Sequence, residues 1–109
     1  MNIVEKTEKA IDQRLSDGSI FNRDRLATDV GLPSGQRLGR YLRKSGTTYK
    51  QIRERGITKK VAELYRFGVK TRGQVSKSMG LRLDLVVRVI KKTTGLTMDK
   101  YKESLKIDL

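Results

Sequence analysis

The chain repeats itself. Shifted by 49 positions, Asn22 falls on Thr71, Leu26 on Val75, Val30 on Met79, Gly31 on Gly80, Leu32 on Leu81, Leu38 on Val87, Tyr41 on Ile90, Arg43 on Lys92, Gly46 on Gly95, Thr48 on Thr97 and Ile52 on Tyr101. What recurs is capping residues, glycines and apolar positions, the parts that fix a backbone path. Each copy predicts a helix, a short turn with Gly, a second helix, another Gly and the start of a third helix. Two helices joined by a tight Gly-containing turn form a helix-turn-helix, whose second helix can lie in the major groove of DNA. A helical solenoid shares the pattern, but two copies are fewer than such an array usually needs.

The rest of the chain fits around the repeat. Residues 3 to 16 predict a helix with Ile3, Val4, Thr7, Ile11 and Leu15 near one face, ended by Asp17-Gly18. Asn22 caps a helix over 23 to 30, with Phe21 and Leu26 as a hydrophobic staple. Pro33 suits the first turn of the next helix, whose apolar stripe is Leu38, Tyr41 and Leu42. Thr48 to Gln51 has the form of a capping box and opens the longest helix, to Phe67, with Ile52, Val61, Ala62, Leu64 and Tyr65 inward and Gly56 as a kink position. Its 20 residues would span about 30 Å. Thr71 to Gln74 is a second capping box, for a helix ending at Met79. Arg82 to Thr94 predicts the second recognition-type helix, with Leu83, Val86, Val87, Val89 and Ile90 as its core stripe. Thr97 caps a last helix carrying Met98, Tyr101 and Leu105. No segment alternates like a strand. The expectation is an all-α fold of about seven helices in one domain, 1–109: a first helix-turn-helix subdomain over 1–47, a linker helix over 48–67 and a second subdomain over 68–109.

Charge says what such a fold is for. Lys and Arg number 25 against 12 Asp and Glu, a formal charge of +13. No acid lies between Asp29 and Glu54, where Arg37, Arg40, Arg43, Lys44, Lys50 and Arg53 fall. None lies between Asp84 and Asp99, where Arg88, Lys91 and Lys92 fall. The acid-free windows coincide with the two recognition-type helices, which solubility alone would not require and polyanion binding explains. Cys and His are absent, which removes disulfides and the usual zinc and iron–sulfur ligand sets; no metal or cofactor is expected. An enzyme is not expected either, since Gly68-Val-Lys-Thr71 lacks the earlier glycine of a phosphate loop and the acids are scattered. No apolar run approaches the roughly 20 residues of a membrane span, so no membrane partner is expected, and the expected location is cytoplasmic, on the nucleoid.

On the first recognition-type helix, Gln36, Arg37 and Arg40 face away from the core stripe. Arg pairs bidentately with guanine and Gln with adenine, which makes these the base-reading candidates. On the second, Asp84, Leu85 and Arg88 take that role: Arg88 for guanine, Leu85 for a thymine methyl, Asp84 for a cytosine amino group or to orient an Arg. Ser34, Arg43, Lys44, Lys50, Arg82, Lys91 and Lys92 are the phosphate candidates. For any one of these residues a phosphate contact or simple solvation is the alternative, because half or more of protein–DNA hydrogen bonds go to the backbone.

The order of these parts resembles the DNA-binding unit of the AraC/XylS family of bacterial transcription regulators, over residues 22 to 105. Leu26-Ala-Thr-Asp-Val-Gly-Leu32 resembles the start of its first helix-turn-helix, and Arg40-Tyr-Leu-Arg-Lys-Ser-Gly46 the end of its first recognition helix. Residues 53 to 64, from Arg53 through Val61-Ala-Glu-Leu64, resemble its linker helix. Arg88-Val-Ile-Lys-Lys-Thr-Thr-Gly-Leu-Thr97 with Tyr101 resembles its C-terminal signature. Ile90 stands where the family has Phe, Met98 where it has Pro, and Gly80-Leu81 where it has Gly-Phe; each keeps an apolar residue. The resemblance implies a short regulator with no small-molecule effector domain, bound as a monomer to one asymmetric duplex site, with RNA polymerase as a further partner. It fits an activator, though the residues leave activation against repression open. A non-specific nucleoid protein, an RNA-binding protein and a protein-interaction module compete with this reading; against RNA, the four Tyr and two Phe offer little surface for base stacking.

Overall fold

In the computed structural model of the protein, which describes residues 2–106, the described residues form seven helices and no strand. They are α1 (Ile3–Asp17), α2 (Arg23–Asp29), α3 (Gly35–Lys44), α4 (Tyr49–Phe67), α5 (Arg72–Met79), α6 (Leu83–Thr94) and α7 (Met98–Lys106). The outermost expected bounds, at Met1 and at 107–109, lie outside the described residues. Side-chain caps explain where most helices start. Asn2, Asn22, Ser34, Thr48, Thr71 and Thr97 each accept a hydrogen bond from the backbone N–H three residues on. Left-handed glycines, among them Gly18 and Gly68, close helices at the other end.

Three local expectations need correction. Pro33 lies outside α3, just before its cap Ser34, so it directs the chain into the helix and does not belong to its first turn. The box at Thr48 is only half made: Thr48 caps the Gln51 N–H, but the Gln51 side chain accepts from the Thr47 hydroxyl at 3.1 Å. The box at Thr71 is complete, with Gln74 accepting from the Thr71 N–H at 3.3 Å. Because Thr48 is a cap, α4 has 19 residues, about 28 Å at 1.5 Å each. It runs through Gly56 as one helix. A Cβ there would sit 2.8 Å from the Cγ2 of buried Ile11, so the glycine lets α1 lie close across α4.

One hydrophobic core runs through the protein, with α4 along its middle. Buried Ile52, Ile57, Val61, Ala62 and Tyr65 of α4 meet Ile11 and Leu15 of α1, Val89 and Ile90 of α6, and Met98 and Leu105 of α7 in that core. Leu64 is only half-buried, and Ile57 takes the inward place expected of it. Helix α1 packs against α2, α3, α4 and α5. A polar clasp fastens it: Lys60 of α4, itself buried, donates to Ser16 at 2.8 Å and pairs with Asp12 at 2.9 Å and Glu63 at 3.0 Å. Burial works to lower the Lys60 pKa, but the two carboxylates outweigh it and the net shift is upward. At the end of α1, Gly18 rests on Gly80, the glycine that ends α5. A Cβ on Gly80 would overlap the Gly18 backbone, and one on Gly18 would crowd the Ser78 carbonyl oxygen at 3.3 Å.

Candidate nucleic-acid interface

The two helix pairs are α2–α3 and α5–α6, joined through residues 30–34 and 80–82. The second connection is shorter, and this changes how the copies match. Helices α2 and α5 correspond at a shift of 49, cap on cap (Asn22, Thr71) and core on core (Leu26, Val75). In α3 and α6, buried Leu38 and Leu42 correspond to buried Val86 and Ile90, a shift of 48. Helix α6 recovers the lost position at its far end, where it has 12 residues against 10 in α3, and Gly46 and Gly95 match again at 49. The expected pairing of Leu38 with Val87 and Tyr41 with Ile90 is therefore off by one. Tyr41 is 44% exposed and Ile90 fully buried, so Tyr41 leaves the core stripe and joins the outer face.

The corrected register aligns the outer faces. Arg40 now corresponds to Arg88, Arg43 to Lys91 and Lys44 to Lys92. On α3, Gln36, Arg37 and Arg40 are exposed, and Arg37, Arg40, Tyr41 and Lys44 border one shallow depression. On α6, Asp84 and Arg88 are exposed, while Leu85 is half-buried and packs on the core. Among the described residues Arg37, Arg40 and Arg88 have side chains with no hydrogen bond or ion pair. No described residue holds these guanidinium groups, so within that part of the protein they are open to a ligand.

The phosphate candidates divide. The hydroxyl of Ser34 accepts from the Arg37 N–H at 3.2 Å and thus caps α3. Arg43, Lys44 and Lys50 are exposed. Arg82 pairs with Asp84 at 3.2 Å, both well exposed. Lys91 donates to the Gly95 carbonyl at 3.2 Å, closing the end of α6. Lys92 pairs at 3.1 Å with Glu54 of α4, a carboxylate whose side chain is only 9% exposed. That bond crosses 38 residues of sequence and could not be read from either window.

Two basic residues near α3 are not among the base-reading or phosphate candidates. The Arg23 guanidinium lies beside Gly39, 3.5 Å from where a Cβ would be. The Arg53 guanidinium stands 5.8 Å from the centroid of the Tyr49 ring, with its Nε buried and unpartnered. Burial pushes the Tyr49 pKa up, against the pull of Arg53 and Arg23. Arg53 stood in the first acid-free window, and its position one turn after Tyr49 was the available signal.

Among the described residues no helix is long and apolar enough to cross a membrane. No protein-family model and no curated protein matches the chain. Among solved structures it is similar to the crystal structure of a DNA-binding transcriptional dual regulator from Escherichia coli K-12, with 18% identity and a TM-score of 0.82. The match covers 98% of this chain and 95% of that one. At that identity the likeness establishes a shared fold along nearly the whole length of both.

Proposed function

We propose that the chain is a sequence-specific transcription regulator that binds double-stranded DNA by setting α3 and α6 into successive major grooves. The observation that carries this is the matched pair of outer faces: Arg37 and Arg40 on α3 and Arg88 on α6, unpaired among the described residues, each on the second helix of a helix-turn-helix. Gln36, Asp84 and Leu85 complete the base-facing set, and Arg43, Lys44, Lys50, Arg82, Lys91 and Lys92 the phosphate-facing set, with Lys92 sharing its charge with Glu54. Successive major-groove faces on one side of B-DNA are about 34 Å apart. The protein measures 40 Å in its longest dimension, enough for one chain to reach both. The division into 1–47, 48–67 and 68–109 then has a meaning: two reading heads on one strut. A shared fold with a DNA-binding regulator supports the reading, as does the resemblance to the AraC/XylS unit; RNA polymerase is the further partner and the bacterial nucleoid the place of action.

Selection of bound sites from random duplex DNA, followed by footprinting and sedimentation, tests this. The expected result is one asymmetric site occupied by one chain, with two protected major-groove segments one turn apart. Arg40→Ala and Arg88→Ala should each relax preference at their own base pairs, by about 1–3 kcal/mol of discrimination. Recovery of unenriched sequence, or of a palindrome bound by two chains, would overturn the reading.

A further inference from the structure

The outer face of α6 carries a shallow depression with an apolar floor, formed by Leu83 and Val87 and bordered by Arg72, Asp84, Arg88 and Lys91. Its origin lies in the corrected register. Leu83 and Val87 correspond to Gly35 and Gly39 of α3. In the first copy those glycines let α2 press in: Gly35 donates to the Asp24 carboxylate at 2.8 Å, and Arg23 covers Gly39. In the second copy the counterpart of Asp24 is Gly73, with open space around it. Polar groups fill the place beside α3, whereas beside α6 two half-buried aliphatic side chains keep part of their surface open.

We propose that this depression receives the 5-methyl group of a thymine, so that Leu83 and Val87 determine sequence preference in the half of the site read by α6. The inference rests on the DNA-binding reading above. The thymine methyl is the one apolar group on a base edge in the major groove. It comes embedded in a polyanion, which suits an apolar floor with cations at its border. Arg72 and Arg88 make no hydrogen bond or ion pair among the described residues, and Arg82 pairs with Asp84, the one acid on the border. Asp84, Val87, Arg88 and Lys91 follow at steps of three, one and three, so methyl contact and the Arg88 guanidinium share one helix face. Leu85, to which sequence reasoning gave the methyl, does not line the depression.

The test starts from the site selected above. Each thymine in turn is replaced by deoxyuridine, which removes only the methyl and leaves the protein untouched. One position in the α6 half should lose about fourfold in affinity, the effect of one apolar carbon group leaving a contact. In Val87→Ala, checked for native helix content, that position should lose much less, while thymines in the α3 half behave as before. If no thymine in the α6 half shows the loss, or Val87→Ala shows it undiminished, the pocket has another occupant, such as an apolar side chain of a protein partner, and the proposal fails. In that case Arg88→Ala still relaxing base preference would leave the DNA-binding reading intact. Arg88→Ala with no effect on any sequence would remove both.

Discussion

The two helix-turn-helix copies reach the same layout by different means. In the first, α2 and α3 hold each other: Gly35 abuts the start of α2, and the Asp24 carboxylate takes the Gly35 N–H. In the second, α5 and α6 pack less extensively on each other and are held from outside. Gly80 is pressed on Gly18 of α1, Lys92 reaches Glu54 of α4, and the Thr93 and Thr58 hydroxyls meet at 2.7 Å. One copy is held mainly within itself, with Arg14 of α1 paired to Asp29 of α2 at 3.0 Å, and the other leans more on its neighbours. The outward arginines Arg40 and Arg88 still correspond, so a repeat can preserve what it presents while replacing what holds it up.

The glycines test this most severely. Gly31 and Gly80 are counterparts, with φ of 83° and 70°. A Cβ on Gly31 meets nothing within 4 Å. Gly31→Ala should therefore cost only the left-handed backbone penalty, about 1–2 kcal/mol. Gly80→Ala adds a backbone overlap with Gly18 and should cost at least about 3 kcal/mol in urea unfolding. Equal losses would show that the contact with α1 does not support the second copy.

Next come the lysines Lys44 and Lys92, which correspond in the register found here. Lys92→Met leaves Glu54 buried without its partner; since Lys92 is itself more than half exposed, the cost should be about 1–2 kcal/mol. Lys44→Met should change stability by less than about 0.5 kcal/mol. Thermal unfolding at moderate salt separates the two, and a similar effect from both would remove the bracing role of the α4 contact.

The smallest effect concerns alkaline pH. Burial raises the pKa of Tyr49, at the start of α4, and of Tyr65 and Tyr101, which pack by the second copy; at Tyr65 the Asp99 charge adds to it. A tyrosine with a raised folded pKa contributes its full stability below the unfolded value of about 10 and loses it as pH climbs through the folded value. Stability should be flat in this contribution at neutral pH and fall above about pH 10. Tyr65→Phe should reduce that fall with little loss at pH 7, because the Tyr65 hydroxyl is buried without a partner. A fall unchanged in Tyr65→Phe would place the sensitivity elsewhere.

Much of the fold was legible because its landmarks are local. A cap such as Asn22 or Thr71 and a stop such as Gly18 or Gly68 act within four residues, and all four do what their types suggest. The register of α6 was lost for the same reason. The glycines on either side keep a shift of 49, and the slip shows in the apolar spacing inside the helix, Val86 and Ile90 against Leu38 and Leu42, and at the start of α6, where Arg82 makes no side-chain cap in the place of Ser34. Tyr41 was misplaced with it. Features that join distant parts of the chain had no signature at all: the close approach at Gly56, the Lys92–Glu54 pair and the contact of Gly18 with Gly80. These come from how helices stack, and no window of sequence contains both partners.

If the chain binds DNA as proposed, the position of α1 bears on the spacing of the site. It touches both copies, through α2 and α3 on one side and α5 on the other, and it is fastened to α4 by Lys60. A chain clamped this way would hold its two recognition helices at one separation and one angular phase. B-DNA turns once in about 10–10.5 base pairs, so inserting a single base pair between the half-sites swings one of them about 34° around the axis. A hinged reader would follow that swing. This one would not, and its operators would tolerate changed letters more readily than a changed count.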